Sequence, residues 1–95
     1  MRKIEQQMVN AIKSHTSFSS GNTQVSIDAN TAHVFLHGNH IASVVNDIVM
    51  VNVDTLKAYP TVTTKSRLRA LGVNVYTKKG ITYLYGEEEI GRAHV

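Results

Sequence analysis

Residues 24–53 decide the fold, and they read QVSIDANTAHVFLHGNHIASVVNDIVMVNV. Apolar and polar residues alternate in two stretches, 24–29 and 32–37. A period of two residues is typical of strands that bury one face. Two more strands are predicted at 40–45 and 48–53, separated by tight turns. The stretch therefore predicts a four-stranded antiparallel meander.

Two tight turns set the register of this meander. Gly38-Asn39 places glycine first, which suits a type II′ hairpin turn, and Asn46-Asp47 joins the last two strands. In this register His37 and His40 are direct cross-strand neighbours, and each side chain is assigned to one face of the sheet.

The predicted register divides the apolar side chains between two faces. The core face carries Val25, Ile27, Ala32, Val34, Leu36, Ile41, Val45, Ile48 and Met50. The second face combines apolar side chains with histidines, and its candidate interface residues are Phe35, Val44, Val49, Val51, His37 and His40. Because a solvent-facing side of a sheet is usually polar, we expect either another part of the chain or a second molecule to cover this face.

Helices and a hairpin flank the sheet. Residues 3–14 carry one apolar stripe with helical spacing, and residues 64–71 form a second helix between Thr63 as N-cap and Gly72. A β-hairpin follows, with strands at 74–77 and 81–85.

The fold class is therefore α+β: an N-terminal helix, a four-stranded antiparallel meander, a short helix and a C-terminal β-hairpin. Residues 1–86 are predicted to form one domain, and residues 87–95 a mobile, charged tail.

Composition limits the classes of protein that this chain can belong to. Its 95 residues are 42% hydrophobic, which fits one globular domain. The absence of cysteine excludes disulfides, thiolate zinc sites and cysteine nucleophiles. No apolar segment of signal or membrane-spanning length is visible, so we expect no membrane partner.

A basic region follows the meander. Between Thr55 and Gly86 there is no acidic residue, and the candidate binding residues for an anionic partner or nucleic acid are Lys65, Arg67, Arg69, Lys78 and Lys79. A basic helix followed by a basic hairpin is similar to a recognition helix with a wing. Against this, the segment before the helix contains Pro60 and does not look helical, whereas a helix-turn-helix needs a helix there. The alternative is a helix that packs Leu68 and Leu71 on the sheet and leaves its charges in water.

Catalytic and metal motifs are missing from the sequence. His37 and His40 are predicted to lie about 5 Å apart, but a zinc site needs further ligands, and His33 lies roughly 13 Å away along the strand. The aspartates fall at turns, and no pair of titratable groups converges. We therefore expect neither an enzyme nor a cofactor or metal site.

Three segments resemble a known family. They are Gly21-Asn22-Thr23, the run from Leu36 to Ala42, and the run from Thr63 to Leu71. Together they resemble a family of small tailed-bacteriophage proteins. The resemblance implies origin and size and supplies no catalytic residues. By analogy, it implies an accessory protein in the host cell cytoplasm that binds a host protein or complex, with nucleic-acid binding as the alternative. The apolar second face also leaves a homodimer open.

Overall fold

The computed structural model describes residues 2–84, which form an α+β fold. Three helices and seven strands occur in this part of the chain, in the order α1 Lys3–Lys13, β1 Phe18–Ser20, β2 Thr23–Asp28, β3 Thr31–Leu36, β4 Asn39–Val45, β5 Ile48–Val51, α2 Val53–Ala58, α3 Val62–Ala70, β6 Val75–Lys78 and β7 Ile81–Leu84. The predicted fold class, N-terminal helix and terminal hairpin are confirmed. The predicted tail at 87–95 lies outside the described residues.

The main sheet has five strands rather than the predicted four, in the order β1-β2-β3-β4-β5. The additional strand, β1, lies in a polar stretch for which no strand was predicted. It pairs Phe18 with Val25 and Ser20 with Thr23. Gly21, with φ of +54°, starts the turn into β2. The half-buried Phe18 packs against the core, which explains why this polar stretch is ordered as a strand.

The turn between β3 and β4 lies one residue earlier than predicted. Its loop is His37-Gly38, so Leu36 pairs with Asn39. Both loop residues have positive φ, +52° for His37 and +79° for Gly38, as a type I′ turn requires. Histidine is enriched among the non-glycine residues that adopt this conformation. The predicted Gly38-Asn39 loop, and with it the direct pairing of His37 with His40, is wrong.

A β-bulge then shifts the register of β4 against β3. Phe35 pairs with His40, but the next pair is Val34 with Ala42, which leaves Ile41 as an extra residue. One inserted residue turns every later side chain of β4 to the opposite face. Because β5 pairs with β4 without a further shift, its side chains change face as well.

The bulge changes which apolar side chains form the core face. This face carries Val25, Ile27, Ala32, Val34, Leu36, Ala42, Val44, Val49 and Val51. Val44, Val49 and Val51 are half-buried there and pack against the core cluster. Their predicted place on the second face is therefore wrong. Val45, Ile48 and Met50 were predicted for the core and lie on the opposite face.

Helices and the hairpin bury this core face. Met8 of α1, Leu56 of α2 and Leu68 of α3 are each at most 1% exposed, and Val75 and Leu84 join them from the hairpin. The prediction that Leu68 packs on the sheet is confirmed.

Two side-chain caps start the helices that follow the sheet. Asn52 Oδ1 accepts the amide N–H of Thr55 at 3.2 Å and begins α2, a helix that the sequence did not predict. Thr61, rather than Thr63, caps α3 by accepting the N–H of Thr64 at 3.1 Å. Gly72 follows the end of α3 with φ of +95°, as expected for a residue just past a helix end.

Candidate functional site

The face of the sheet opposite the core, here called the outer face, is the main candidate site. It consists of Gln24, Ser26, His33, Phe35, His40, Ser43, Val45, Ile48 and Met50. Its apolar side chains are unusually accessible, since Ile48 is 64% exposed and Met50 is 51% exposed. A sheet face with this composition and exposure is better suited to contact with another molecule than to water.

A hydrogen-bond chain crosses the middle of the outer face. Ser43 Oγ lies 3.0 Å from Nδ1 of His33 and 2.8 Å from Nε2 of His40. Nδ1 of His40 in turn lies 3.1 Å from Nδ2 of Asn52. The bulge creates this cluster, because it brings Ser43 to the outer face, directly opposite His33.

The cap of α2 determines where the protons of this chain lie. Because Asn52 Oδ1 accepts the amide of Thr55, its Nδ2 group must face His40 as a donor. Nδ1 of His40 is therefore the acceptor, and its Nε2–H donates to Ser43 Oγ. Ser43 Oγ also lies within hydrogen-bond distance of Nδ1 of His33. His40 is therefore neutral in this arrangement and has one defined tautomer.

The electrostatics of His40 agree with this assignment. Burial and then the neighbouring His33 imidazole lower the pKa of His40, and a hydrogen bond with the Ala42 backbone only partly opposes them. The ring also lies against Phe35, with 5.4 Å between the ring centroids. His40 is thus held in its neutral form.

The cluster looks like a serine-histidine-asparagine triad but has the opposite proton polarity. A nucleophilic serine gives its proton to the histidine that the third residue orients. Here His40 donates to Ser43, and Ser43 is only 8% exposed. The arrangement therefore fits a structural hydrogen-bond chain. Within residues 2–84 there is also no cluster of three or more histidine or carboxylate side chains that could hold a metal.

The other histidine of the predicted pair is not part of this cluster. His37 lies exposed in the β3–β4 turn, and its backbone N–H donates to the Asn22 carbonyl at 2.7 Å. His33 takes its place beside His40, with 5.5 Å between the ring centroids. The sequence did not predict this pair, because the adjacent apolar residues Ile41 and Ala42 give no sign that Ile41 is inserted as a bulge.

Arg67, predicted to bind an anionic partner, lies in the interior instead. It is 3% exposed, and its NH1 group pairs with Glu5 Oε2 at 2.7 Å. Its Nε donates to Thr23 Oγ1 at 3.0 Å, while Ser66 Oγ donates to Glu5 Oε2 at 2.5 Å. Burial tends to raise the pKa of Glu5, but hydrogen bonds from Ser66 and Arg67 outweigh it and lower that pKa. This buried network joins α1, β2 and α3.

The four other predicted cations lie in three places: Lys65 is buried, Arg69 is exposed on α3, and two lysines are exposed on the hairpin. Lys65 is 8% exposed, and its Nζ donates to Thr77 Oγ1. The expectation that Lys65 points into solvent is therefore wrong. Arg69 is exposed, and its Nε donates to the Val75 carbonyl at 2.8 Å. The remaining two, Lys78 and Lys79, are exposed at the hairpin turn.

The order of elements around these cations differs from the prediction in one important respect. Helix α2 comes directly before α3, and the β6–β7 hairpin follows. The sequence-based objection that no helix comes before α3 is therefore wrong. Among residues 2–84, no helix is long and apolar enough to cross a membrane.

Comparison with known proteins identifies a family for nearly the whole chain. The family model described as Kyanoviridae Gp96 protein matches residues 1–93. The predicted resemblance to a family of small tailed-phage proteins is thereby confirmed. Comparison with curated proteins and with solved structures gave no match.

Proposed function

The chain belongs to the Kyanoviridae Gp96 protein family of phages, and from that premise we propose that it is a non-enzymatic accessory protein that binds and modulates a host protein or complex. Its site of action is the host cell cytoplasm, in host takeover or counter-defence. The observation that carries the proposal is the exposure of Ile48 and Met50 on the outer face, 64% and 51%.

The outer face has the features of a protein-binding surface. Met50 and Ile48 supply adaptable apolar contact area, and Phe35 adds a half-buried aromatic ring. Aromatic residues and methionine are enriched where proteins meet. At its centre, both ring nitrogens of His40 are already hydrogen-bonded within the chain, to Ser43 and Asn52, so contact with a partner leaves neither of them unpaired.

Matched surface variants test this proposal. Full-length protein captures partners from nuclease-treated host lysate, and Met50→Lys is compared with Val62→Lys. Val62 is 73% exposed on α3, so it provides an apolar-to-lysine change away from the outer face. We expect one host protein to be retained by wild type and by Val62→Lys and lost with Met50→Lys.

Two results contradict binding through the outer face. One is a captured protein that both variants retain equally. The other is a wild-type protein that sediments as a dimer while Met50→Lys sediments as a monomer. Self-association would then account for the exposed patch.

A second candidate function, nucleic-acid binding, is favoured by the helix–helix–hairpin order of α2, α3 and β6–β7. The cations exposed for it are Lys57, Arg69, Lys78 and Lys79. Each phosphate contact adds about 0.7 to 0.9 to the slope of log affinity against log salt. Binding that weakens steeply with salt and is lost in Lys78→Glu/Lys79→Glu supports this function, and binding absent at low salt rules it out.

A further inference from the structure

Strand β5 is an edge of the five-stranded sheet, and its register shows which of its backbone groups are unpaired. The last ladder bond to β4 runs from the N–H of Asn52 to the carbonyl of Ile41, at 2.8 Å. Bonded residues alternate along an antiparallel strand, so Ile48 and Met50 also bond to β4. The N–H and C=O groups of Val49 and Val51 therefore point away from the sheet. Within residues 2–84 nothing accepts or donates to them.

A slot runs along this edge. Its lining includes Val49 and Val51 from the core face and Met50 from the outer face. Side chains on opposite faces of one strand contact the same cavity only if the cavity lies at the edge of the strand. The far wall is formed by the segment that leaves α3, from Leu71 to Asn74, and by Leu84 of β7.

The volume of the slot matches that of a short added strand. Its volume is about 660 Å³. Strands lie about 4.8 Å apart, rise about 3.3 Å per residue and occupy a layer about 10 Å thick, which gives roughly 160 Å³ per residue. The slot therefore holds about four residues, the length of β5 itself.

The chemistry of the slot specifies the occupant further. Val49, Val51 and Leu71 line it with apolar surface, and unpaired backbone groups of β5 line one side. Asp47 is the one charged residue among its described lining residues. The complementary occupant is an extended peptide with small apolar side chains and a cation at the end near Asp47.

We propose that β5 binds an extended segment of the partner protein by strand addition, with Val49 and Val51 supplying the main-chain hydrogen bonds. The inference rests on the proposed function, since it names the part of a partner that this protein would hold. Specificity comes from the partner's alternate side chains, which enter the slot beside Val49 and Val51. The partner's other side chains lie next to Met50 on the outer face.

Amide hydrogen exchange with a defined peptide tests strand addition directly. The probe is the acetylated and amidated hexapeptide lysine-valine-threonine-valine-threonine-valine at millimolar concentration. In free protein we expect rapid exchange at Val49 and Val51 and protection at Ile48 and Met50. With peptide at ten times its dissociation constant, exchange at Val49 and Val51 should slow about tenfold. The same peptide N-methylated at every residue keeps its side chains and should give no protection.

Two exchange results overturn the proposal. Peptide that leaves the exchange of Val49 and Val51 unchanged up to millimolar concentration shows that this edge does not add a strand. Protection of both amides in the free protein shows that the edge is already occupied, by residues 85–95 or by a second copy, which sedimentation distinguishes.

A backbone variant separates this inference from the proposed function. Val51→Pro removes the outward-pointing backbone N–H of residue 51, and an edge strand tolerates proline at such a position. The variant should therefore lose peptide protection. A host protein whose capture depends on Met50 but survives Val51→Pro refutes strand addition and leaves the proposed function intact. Conversely, peptide protection of Val49 and Val51 without any Met50-dependent capture supports strand addition and contradicts the proposed binding of a host protein through the outer face.

Discussion

Replacing Arg67 by methionine tests whether the buried pair with Glu5 holds the helices to the sheet. Arg67 and Glu5 have side chains that are each 4% exposed and meet at 2.7 Å. Methionine keeps much of the side-chain length and removes the charge and the hydrogen bond to Thr23. The variant therefore leaves the Glu5 carboxylate in the interior with Ser66 as its main remaining partner.

The cost can be estimated from the carboxyl group itself. Glu5 without a counter-ion can take up a proton, which costs about 1.4 kcal/mol for each pH unit above its ordinary value of 4.5. At pH 7 this limits the penalty to about 3.4 kcal/mol, close to the roughly 3 to 5 kcal/mol measured when one partner of a buried pair is removed. A domain of this size unfolds with about 5 to 14 kcal/mol, so we expect Arg67→Met to remain folded.

The pH dependence has a definite sign. In the wild type the pKa of Glu5 is lowered, so the stabilisation is complete above pH 4.5 and is lost as the pH falls through the lowered value. In Arg67→Met, burial without the guanidinium raises that pKa, so the variant gains relative stability in acid. The difference in unfolding free energy should be largest at pH 7 and shrink by about 1.4 kcal/mol per unit toward pH 5.

Urea unfolding at pH 7, 6 and 5 measures this difference. The matched control introduces Arg67→Met into a Glu5→Gln protein, where the cost should not change with pH because no carboxylate remains. A cost for Arg67→Met alone that is below about 1 kcal/mol at pH 7, or equal at pH 7 and pH 5, would refute the role assigned to the pair.

Three further substitutions test other parts of the structure. Asn52→Asp keeps an oxygen to cap α2 and places a carboxylate oxygen beside Nδ1 of His40, so an NMR titration should show a higher pKa for His40 than in wild type; an unchanged pKa contradicts the contact between the two side chains. Leu68→Ala should lower the unfolding free energy by about 2 to 5 kcal/mol, and Leu71→Ala by less because Leu71 is only half-buried; equal losses would misplace the core. His37→Val should cost about 1 to 2 kcal/mol because φ at this position is +52°, whereas His37→Asn should be nearly neutral in the same urea assay.

Local patterns in the sequence predicted most of the elements. Alternation located β2 and β3, tight turns located β4 and β5, and Asn46-Asp47 set the register of the last hairpin, which pairs Val44 with Val49 as predicted. The turn at His37-Gly38 was missed because Gly38 suits either of two loops. It can be the second residue of a type I′ loop at His37-Gly38 or the first residue of a type II′ loop at Gly38-Asn39. Helix α2 was missed because six residues ahead of Pro60 are too short to show a helical period.

The bulge had a larger effect on the predicted site than the turn that comes before it. Ile41 and Ala42 are adjacent and both almost fully buried, which strict alternation cannot represent. Two adjacent apolar residues look the same in a sequence whether they point to opposite faces of a regular strand or one of them is the extra residue of a β-bulge. The outer face was therefore predicted as an apolar surface with the wrong valines, and Met50 was assigned to the core.

Charge patterns failed for a different reason. Lys65 and Arg67 lie in a stretch without acids, so an acidic partner for either has to come from elsewhere in the chain. Glu5, the partner of Arg67, precedes it by 62 residues, and no local pattern records a contact of that separation. A run of basic residues indicates a binding face only when the fold leaves those residues exposed.

The segments that carry the family resemblance meet at this same buried network. Asn22 accepts the backbone N–H of His37 through its carbonyl and NH2 of Arg67 through Oδ1. Residues from all three segments thus join α3 to the β1–β2 and β3–β4 turns. These contacts give each of the three segments a structural role in this fold. The residues proposed to contact a partner, Val49, Met50 and Val51, lie outside all three segments, so a related chain that shares the segments need not share the partner.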